Sequence, residues 1–222
     1  SAYMRARREV VSDNTMTKYR GYLNRFFDFA ELNEWITTSP ARKLDKYAKV
    51  VPYRHYFSDD ELSKIMANAG EFKSFYQFML YTGIRCTDVY GITREAFYEH
   101  RGNSRLYVKI KMKKVKRELD VPLSDDAREV VEFIQESHHL FPNAQSRVWR
   151  RAQNRNLKSN FDLDYFESKQ IKNHTFRHTF AMHHLMKNTP MNVIQQLMGH
   201  TSITQTEIYA DLLPKGHLEQ YL

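Results

Sequence analysis

Cysteine, glycine and long apolar runs are scarce in this chain, and each shortage excludes a class of protein. Cys86 is the single cysteine among 222 residues, which excludes an intramolecular disulfide and a zinc site built from clustered cysteines. The seven glycines form neither a G-x-G-x-x-G turn nor a P-loop, so a glycine-bound nucleotide cofactor is not expected. No window approaches the roughly 20 apolar residues of a membrane helix, so no membrane contact is expected.

Basic residues outnumber acidic ones and are unevenly distributed. The chain has 34 Lys and Arg against 26 Asp and Glu, a net charge of +8. Residues 101–117 contain eight Lys or Arg and no acid, whereas residues 118–136 contain seven acids and one Arg. Residues 147–172 are basic again. This surplus favours a polyanionic partner, although it is also common in proteins that bind none.

Hydrophobic periodicity predicts an α+β, mainly α protein with a small antiparallel β-sheet or hairpin. An amphipathic helix is expected over 14–35, followed by a basic segment, 41–54, that is typical of a linker. Ser58 begins a capping box for the next helix. Alternating residues over 106–121 predict a hairpin with one basic face. The other helices are expected at about 71–81, 125–138, 145–156, 174–187 and 191–198.

Two segments carry cations suited to phosphate. Arg85 follows a helix end at Gly83, and Asp88 is placed to orient its guanidinium for a bidentate contact. A structural ion pair is the alternative. The hairpin turn offers lysines that can contact phosphates or donate a proton, although a solvated turn would look the same.

Three further segments carry histidines, an arginine and a tyrosine. His174, Arg177 and His178 share one face of a predicted helix. Gly199 is expected to end the next helix and to turn His200 away from the core. Tyr209 follows nine residues later. Taken alone, it would be interpreted as a packing aromatic, since the chain has 14 tyrosines.

The histidines also suggest a zinc site. His174 and His178 have the i, i+4 spacing of ligands, and further histidines lie at 183, 184 and 200. However, H-E-x-x-H is absent because position 175 is Thr, and Arg177 would place a cation beside the metal. No metal is therefore expected.

An arginine, a hairpin lysine, the His174–His178 segment, a Gly-His pair and a tyrosine follow one another along the chain. In this order they resemble the tyrosine recombinase family, also called phage integrases, over about residues 55–213. Residues 81–88, YTGIRCTD, are similar to its T-G-[LI]-R-x-x-[DE] box, and residues 174–181, HTFRHTFA, to its H-x-[LF]-R-H-[TS]-F-A box. Residues 197–203, LMGHTSI, resemble L-L-G-H-x-[SD]-[IV], and residues 206–209, TEIY, resemble T-x-x-Y.

The resemblance implies a site-specific recombinase or integrase that cleaves and rejoins duplex DNA through a 3′-phosphotyrosyl intermediate, with no metal, ATP or other cofactor. Tyr209 would attack, His174 would assist its deprotonation, and His200 would bind a phosphate oxygen. The implied catalytic set is Arg85, Lys114, His174, Arg177, His200 and Tyr209, with Asp88 and His178 in support.

The resemblance also implies a lysine that protonates the departing 5′-oxygen. Which lysine this is depends on the register of the hairpin. Counting back from Val121 along the family's K-[TG]-x-[KR]-E-x-x-[VI]-P-L pattern selects Lys114. The turn lacks the usual Gly or Thr, so Lys113 and Lys116 stay open as alternatives. The side chains expected to bind DNA are Lys109, Lys111, Lys113, Lys116, Arg117, Arg147, Arg150 and Arg151.

The resemblance also implies a domain division and partners. Residues 1–50 would be the C-terminal remnant of a helical core-binding domain plus linker, and 51–222 the catalytic domain. We therefore expect a truncated chain with weak DNA affinity. The expected partners are duplex DNA with specific recombination sites and further copies of the chain in a tetramer, in the cytoplasm at the nucleoid. The tail is expected to pack on its own domain or on a neighbouring protomer.

Other functions stay open at this point. A type IB topoisomerase uses similar residues, although their order and local sequence fit recombinases better. A catalytically incompetent DNA-binding fragment and a metal nuclease built on the histidines are further alternatives. The hairpin and the residues after Arg85 favour a mobile-element integrase over a chromosomal resolvase.

Overall fold

The chain divides into two compact units, Ser1–Tyr53 and Arg54–Leu222. The computed structural model describes residues 2–47, 54–100, 102, 104–112, 117–133 and 138–213. Among the described helices, none has the length and apolar composition that a bilayer span requires.

The first unit contains two helices, α1 (Ala2–Arg8) and α2 (Asp13–Leu32). Ser12 caps α2, because its side chain accepts a hydrogen bond from the backbone N–H of Thr15. Inside the segment predicted as a linker, a 3-10 helix over Pro40–Lys43 packs back on this unit. Arg42 donates to both carboxylate oxygens of Glu31, at 2.8 and 2.9 Å, which holds this turn against α2.

The longer helices of the second unit lie close to the predicted segments. Ser58 and Glu61 form the expected capping box at the start of the first of them. The described helices are α3 (Asp59–Asn68), α4 (Lys73–Thr82), α5 (Cys86–Val89), α6 (Asp125–Phe133), α7 (Arg147–Lys158), α8 (Leu163–Ser168), α9 (His174–Met186), α10 (Met191–Met198) and α11 (Thr204–Glu207).

An antiparallel sheet of three strands lies between α5 and α6, in the order β1-β2-β3. The strands are β1 (Phe97–Glu99), β2 (Leu106–Met112) and β3 (Arg117–Pro122). Val108, Ile110 and Met112 are buried, whereas the intervening Lys109 and Lys111 are exposed. The predicted hairpin and the mainly helical α+β class are therefore confirmed.

Helix α9 joins the two hydrophobic clusters of the second unit. Phe176 lies in the larger cluster, where it stacks on Tyr76 of α4 with ring centroids 5.0 Å apart. One turn later, Phe180 lies in the smaller cluster with Met198 and Tyr209. The polar residues between them, Arg177 and His178, are therefore held inside the protein, next to the ends of α4 and α10.

Candidate active site

Arg177 is buried where α4, α9 and α10 meet. Its side chain, 3% exposed, donates from Nη1 to the Gly83 carbonyl at 2.5 Å and from Nη2 to the Met198 carbonyl at 2.6 Å. These carbonyls lie at the C-termini of α4 and α10, where the helix dipoles are negative. A guanidinium has five N–H donors, so three remain beyond these two bonds.

Two left-handed glycines position these carbonyls. Gly83 and Gly199 end α4 and α10, each with φ of +62°, as their sequence positions predict. A Cβ at position 83 would lie 2.7 Å from Cγ of Phe180, and one at position 199 would lie 2.7 Å from Cδ2 of Leu119. Only glycine fits either position without displacing a core side chain.

Arg85 supplies a second guanidinium near Arg177. It is the N-cap residue of α5, and its Nη1 lies 3.4 Å from Sδ of Met112. Burial and the nearby charge of Arg85 lower the pKa of Arg177 to about 9, whereas Asp88, buried on α5, raises it. Arg177 therefore keeps its positive charge at neutral pH.

The phenol of Tyr209 is buried against an imidazole. Tyr209 is 1% exposed, and its hydroxyl oxygen lies 2.8 Å from Nδ1 of His178. Burial raises the pKa of Tyr209, and the charges of Arg177, Arg54 and Arg85 oppose that rise. Burial, with neighbouring His174 and Arg54, lowers the pKa of His178 to about 3. His178 is thus neutral at pH 7, and in the tautomer with its proton on Nε2 its Nδ1 accepts a hydrogen bond from the phenol.

His200 is also held as a neutral imidazole. Its Nδ1 lies 2.7 Å from Oγ1 of Thr206, and both side chains are buried. Burial and the charges of Arg177 and Arg85 lower the pKa of His200 to about 3. If the hydroxyl of Thr206 donates to Nδ1, the single ring proton lies on Nε2, which can then donate to a ligand.

His174 is the exposed first residue of α9. Its ring lies edge-on to that of His178, with centroids 4.7 Å apart. Desolvation and the charges of Arg177 and Arg85 lower its pKa. The sequence assigned to His174 the role of assisting Tyr209, whereas the imidazole at hydrogen-bond distance from the phenol is that of His178.

Arg54 is a member of this cluster that the sequence pattern did not single out. The sequence groups it with the linker, yet its charge lowers the pKa of Tyr209, and so does a side-chain hydrogen bond from its guanidinium. Its charge also lowers the pKa of His174, His178 and His200. Neither periodicity nor a motif distinguishes Arg54 from the other basic residues of its segment.

The structure describes some of the hairpin lysines and not others. Lys113, Lys114 and Lys116 lie outside the described residues. Lys109 and Lys111 are exposed on β2, but the residues paired with them on β3 are Asp120 and Glu118. The solvent-exposed face of the hairpin therefore carries both basic and acidic side chains, rather than basic ones alone. Arg117 is exposed at the start of β3.

Helix α7 presents a basic surface. Arg147 and Arg151 are exposed, whereas Arg150 is half-buried, with its guanidinium 5.1 Å from the ring centre of Tyr90. Arg155, which the sequence reasoning missed, is also exposed. Its i+4 spacing from Arg151 was the available signal. A shallow cleft of about 460 Å³ is lined by Val148, Arg151, Asn154 and Arg155.

Metal ligands are not grouped in the described part of the chain. Within residues 2–47, 54–100, 102, 104–112, 117–133 and 138–213, no three His, Cys, Asp or Glu side chains are arranged to hold a metal ion.

Comparisons with known proteins match this arrangement of fold and site. The Phage integrase family model matches residues 55–215, nearly three quarters of the chain. A "Tyrosine recombinase" of Thermosipho africanus (strain TCF52B) is 24% identical over 214 residues, which cover 90% of this chain and 72% of that protein.

Two solved structures of lambda integrase share the fold. One is a dimer of residues 75–356 bound to a COC′ core site, with a TM-score of 0.74 and 17% identity over 96% of this chain and 79% of that one. The other is a tetramer bound to a Holliday junction, with a TM-score of 0.73 and 18% identity over 94% of this chain and 62% of that one. This chain therefore belongs to the phage integrase family and is a tyrosine recombinase.

Proposed function

We propose that the chain cleaves and rejoins duplex DNA at specific sites through a covalent bond between Tyr209 and a 3′-phosphate, without metal or ATP. The observation that supports this most directly is the contact between the phenol of Tyr209 and the neutral imidazole of His178, 2.8 Å apart. A phenol normally loses its proton near pH 10, so attack at neutral pH requires an acceptor of this kind.

Arg85 and Arg177 bind the non-bridging oxygens of the scissile phosphate in this proposal. The in-line transition state spreads negative charge over these oxygens. Each preorganised donor contributes about 3 kcal/mol to its stabilisation. Arg177 is preorganised because two backbone carbonyls already hold its guanidinium. His200, through Nε2–H, and His174, at the N-terminus of α9, donate to the same phosphate.

The bonds and protons balance along the reaction. The Tyr209 oxygen forms a bond to phosphorus while its proton moves to Nδ1 of His178, and the bond from phosphorus to the 5′-oxygen breaks. Lys114 protonates the departing 5′-oxygen. In the second half, a 5′-hydroxyl of another strand attacks the phosphotyrosine and gives its proton to Lys114. The bond from phosphorus to the Tyr209 oxygen breaks, and that oxygen takes back the proton held by His178.

The domain roles and partners follow from the same proposal. Residues 1–50 belong to a core-binding domain plus linker, and 51–222 are the catalytic domain. Support for tetrameric assembly on paired DNA sites comes from the likeness to the lambda integrase tetramer. The DNA contacts are made by the hairpin and by α7, and the protein acts in the cytoplasm at the nucleoid.

Covalent trapping on randomised DNA tests this function for any target sequence. A library of nicked duplexes, randomised over about three helical turns, is incubated with the chain in EDTA, and adducts are isolated on denaturing gels. We expect an adduct with the wild type, none with Tyr209→Phe, and an unchanged yield with Tyr22→Phe, which alters an exposed tyrosine of α2. No wild-type adduct, an adduct that persists in Tyr209→Phe, or dependence on a divalent metal would contradict the proposal.

A further inference from the structure

The backbone around Arg54 is fixed against α9. The N–H of Phe57 donates to Oγ1 of Thr179 at 2.9 Å, and Thr179 directly follows His178. Tyr56 packs on the hydrophobic cluster that contains Tyr209. His55 is held in turn, because its Nε2 lies 3.0 Å from Oε1 of Glu61. These contacts anchor the three residues that follow Arg54.

The side chain of Arg54 is only partly satisfied. Its guanidinium reaches the phenol of Tyr209 through a side-chain hydrogen bond. Its Nε is buried, and among the described residues no acceptor lies within hydrogen-bond distance of that atom. A buried donor left unpaired destabilises the protein, so a ligand oxygen that accepts from this N–H would be favoured. Arg177, in contrast, is already held by two backbone carbonyls.

We propose that Arg54 is a third catalytic arginine, whose guanidinium contacts the phenol oxygen of Tyr209 and donates from Nε to an oxygen of the scissile phosphate. This inference rests on the proposed function. The planar guanidinium presents several donors in a fixed fork, which suits two oxygens that approach each other during attack.

Arg54 acts at both chemical steps. During cleavage, the proton of Tyr209 moves to His178 while the new bond to phosphorus forms, and Arg54 stabilises the negative charge that builds on the phenol oxygen. During rejoining, the bond between phosphorus and the phenol oxygen breaks. The same oxygen is then the leaving group, and Arg54 stabilises it again. Loss of Arg54 therefore slows cleavage and rejoining together.

The groups that face Tyr209 come from three elements. His178 and Arg177, with His174 beside them, come from α9, Arg85 comes from the start of α5, and Arg54 comes from the segment before α3. Between pH 6.5 and 8 these histidines stay neutral, since their pKa values are lowered, and Arg177 stays charged, since its pKa is about 9. The charges that these groups present to Tyr209 are therefore constant over this range.

Cleavage by Arg54 variants is the first test. On DNA selected from the nicked library, we expect Arg54→Gln to form the covalent adduct about 10 to 100 times more slowly than the wild type. Arg54→Lys keeps the positive charge but lacks the planar set of guanidinium donors. Its rate of adduct formation should lie between those of the wild type and Arg54→Gln. The matched control is Arg128→Gln, an exposed arginine of α6 paired with Glu132. A rate for Arg54→Gln within twofold of the wild type would overturn the inference.

A DNA-independent measurement separates this inference from the proposed function. In protein labelled with 3-fluorotyrosine, whose phenols ionise at lower pH, the 19F resonance of Tyr209 is identified by its loss in Tyr209→Phe. We expect its titration midpoint to rise by about one pH unit or more in Arg54→Gln and to stay unchanged in Arg128→Gln. A wild-type chain that forms no adduct would contradict the proposed function, whereas an unmoved midpoint would contradict the role of Arg54.

Folding of the variants is followed by thermal melting. If Arg54→Gln does not fold, Arg54→Lys decides the question. A cleavage rate and a Tyr209 midpoint both equal to those of the wild type would then overturn the two-oxygen contact, and a slower rate in a folded Arg54→Lys would support it.

Discussion

His178 is the side chain whose surroundings changed its interpretation most. The sequence placed it among the supporting residues, whereas in the structure it is the imidazole in contact with Tyr209. The pairing joins residues 31 positions apart and depends on how α10 and α11 pack on α9, so no local pattern reports it.

We predict that His178→Asn cleaves DNA about 10²- to 10⁴-fold more slowly, the usual contribution of a positioned general base. The asparagine oxygen can accept a hydrogen bond from the phenol, but it does not take up the proton. The measurement is single-turnover adduct formation on selected nicked DNA.

The control for this prediction is His184→Asn on the same helix, where Nδ1 lies 3.2 Å from Oγ1 of Thr189 rather than near Tyr209. Wild-type rates in both variants would remove His178 from the reaction.

At the scale of single residues, motif spacing predicted that Arg85, Arg177, His200 and Tyr209 belong together, and the structure places them within electrostatic reach of one another. Arg54 could not be predicted, because only the path of the chain before α3 brings it to Tyr209. The lysine of the hairpin turn stays a prediction, since that turn lies outside the described residues.

The ends of α4 and α10 connect the fold to the site. We predict that Gly83→Ala lowers the free energy of unfolding by more than the 1–2 kcal/mol that a left-handed residue costs by itself. The new methyl group would collide with Phe180, and relief of that collision would move the carbonyl that holds Arg177. Urea denaturation at pH 7 measures the change.

Gly70→Ala provides a matched control. Gly70 also has a positive φ, +52°, but nothing lies within 4 Å of a Cβ placed there. It should therefore show the backbone cost without the collision. Equal losses of stability in the two variants would mean that the contact with Phe180 is not tight.

Elements with a long periodic pattern were predicted well, and short ones were missed. The hairpin and helices such as α9 and α10 lie where expected, within a few residues. Helices α1 and α8 have seven and six residues, too few to establish a period. Strand β1 has three residues, and its existence depends on pairing with β2, which is a tertiary contact.

The stability of the whole protein should depend on buried neutral histidines. His178 and His200 have pKa values of about 3 in the folded protein, against about 6.5 in an unfolded chain. Below pH 6.5 the unfolded chain binds protons that the folded one does not. The stabilisation is therefore complete above pH 6.5 and is lost as the pH falls towards 3.

As the pH is lowered from about 6 to 4, we predict that each of these two histidines reduces the free energy of unfolding by about 1.4 kcal/mol per pH unit. Urea denaturation at several pH values gives the slope, and His200→Asn removes one contribution. A slope that is the same in the wild type and in His200→Asn would show that His200 is not held neutral.

Composition alone supported a polyanionic partner only weakly, and the structure shows why charge is a poor guide at this scale. The lysines of β2 are paired with acids of β3, and Arg150 lies against a tyrosine ring. Arg147, Arg151 and Arg155 along α7 form an exposed basic surface. Such cancellation between neighbouring strands is invisible to a count of charges.

The two carbonyls bound by Arg177 also bear on how genes of this kind lose function. A change at Arg177 leaves the carbonyls at the ends of α4 and α10 without their partner and so destabilises the second unit. A change of Tyr209 to Phe removes one oxygen from a buried ring and leaves its packing in place. Inactive descendants of this gene that still encode a folded protein are therefore expected to retain the arginine and to have lost the tyrosine hydroxyl first.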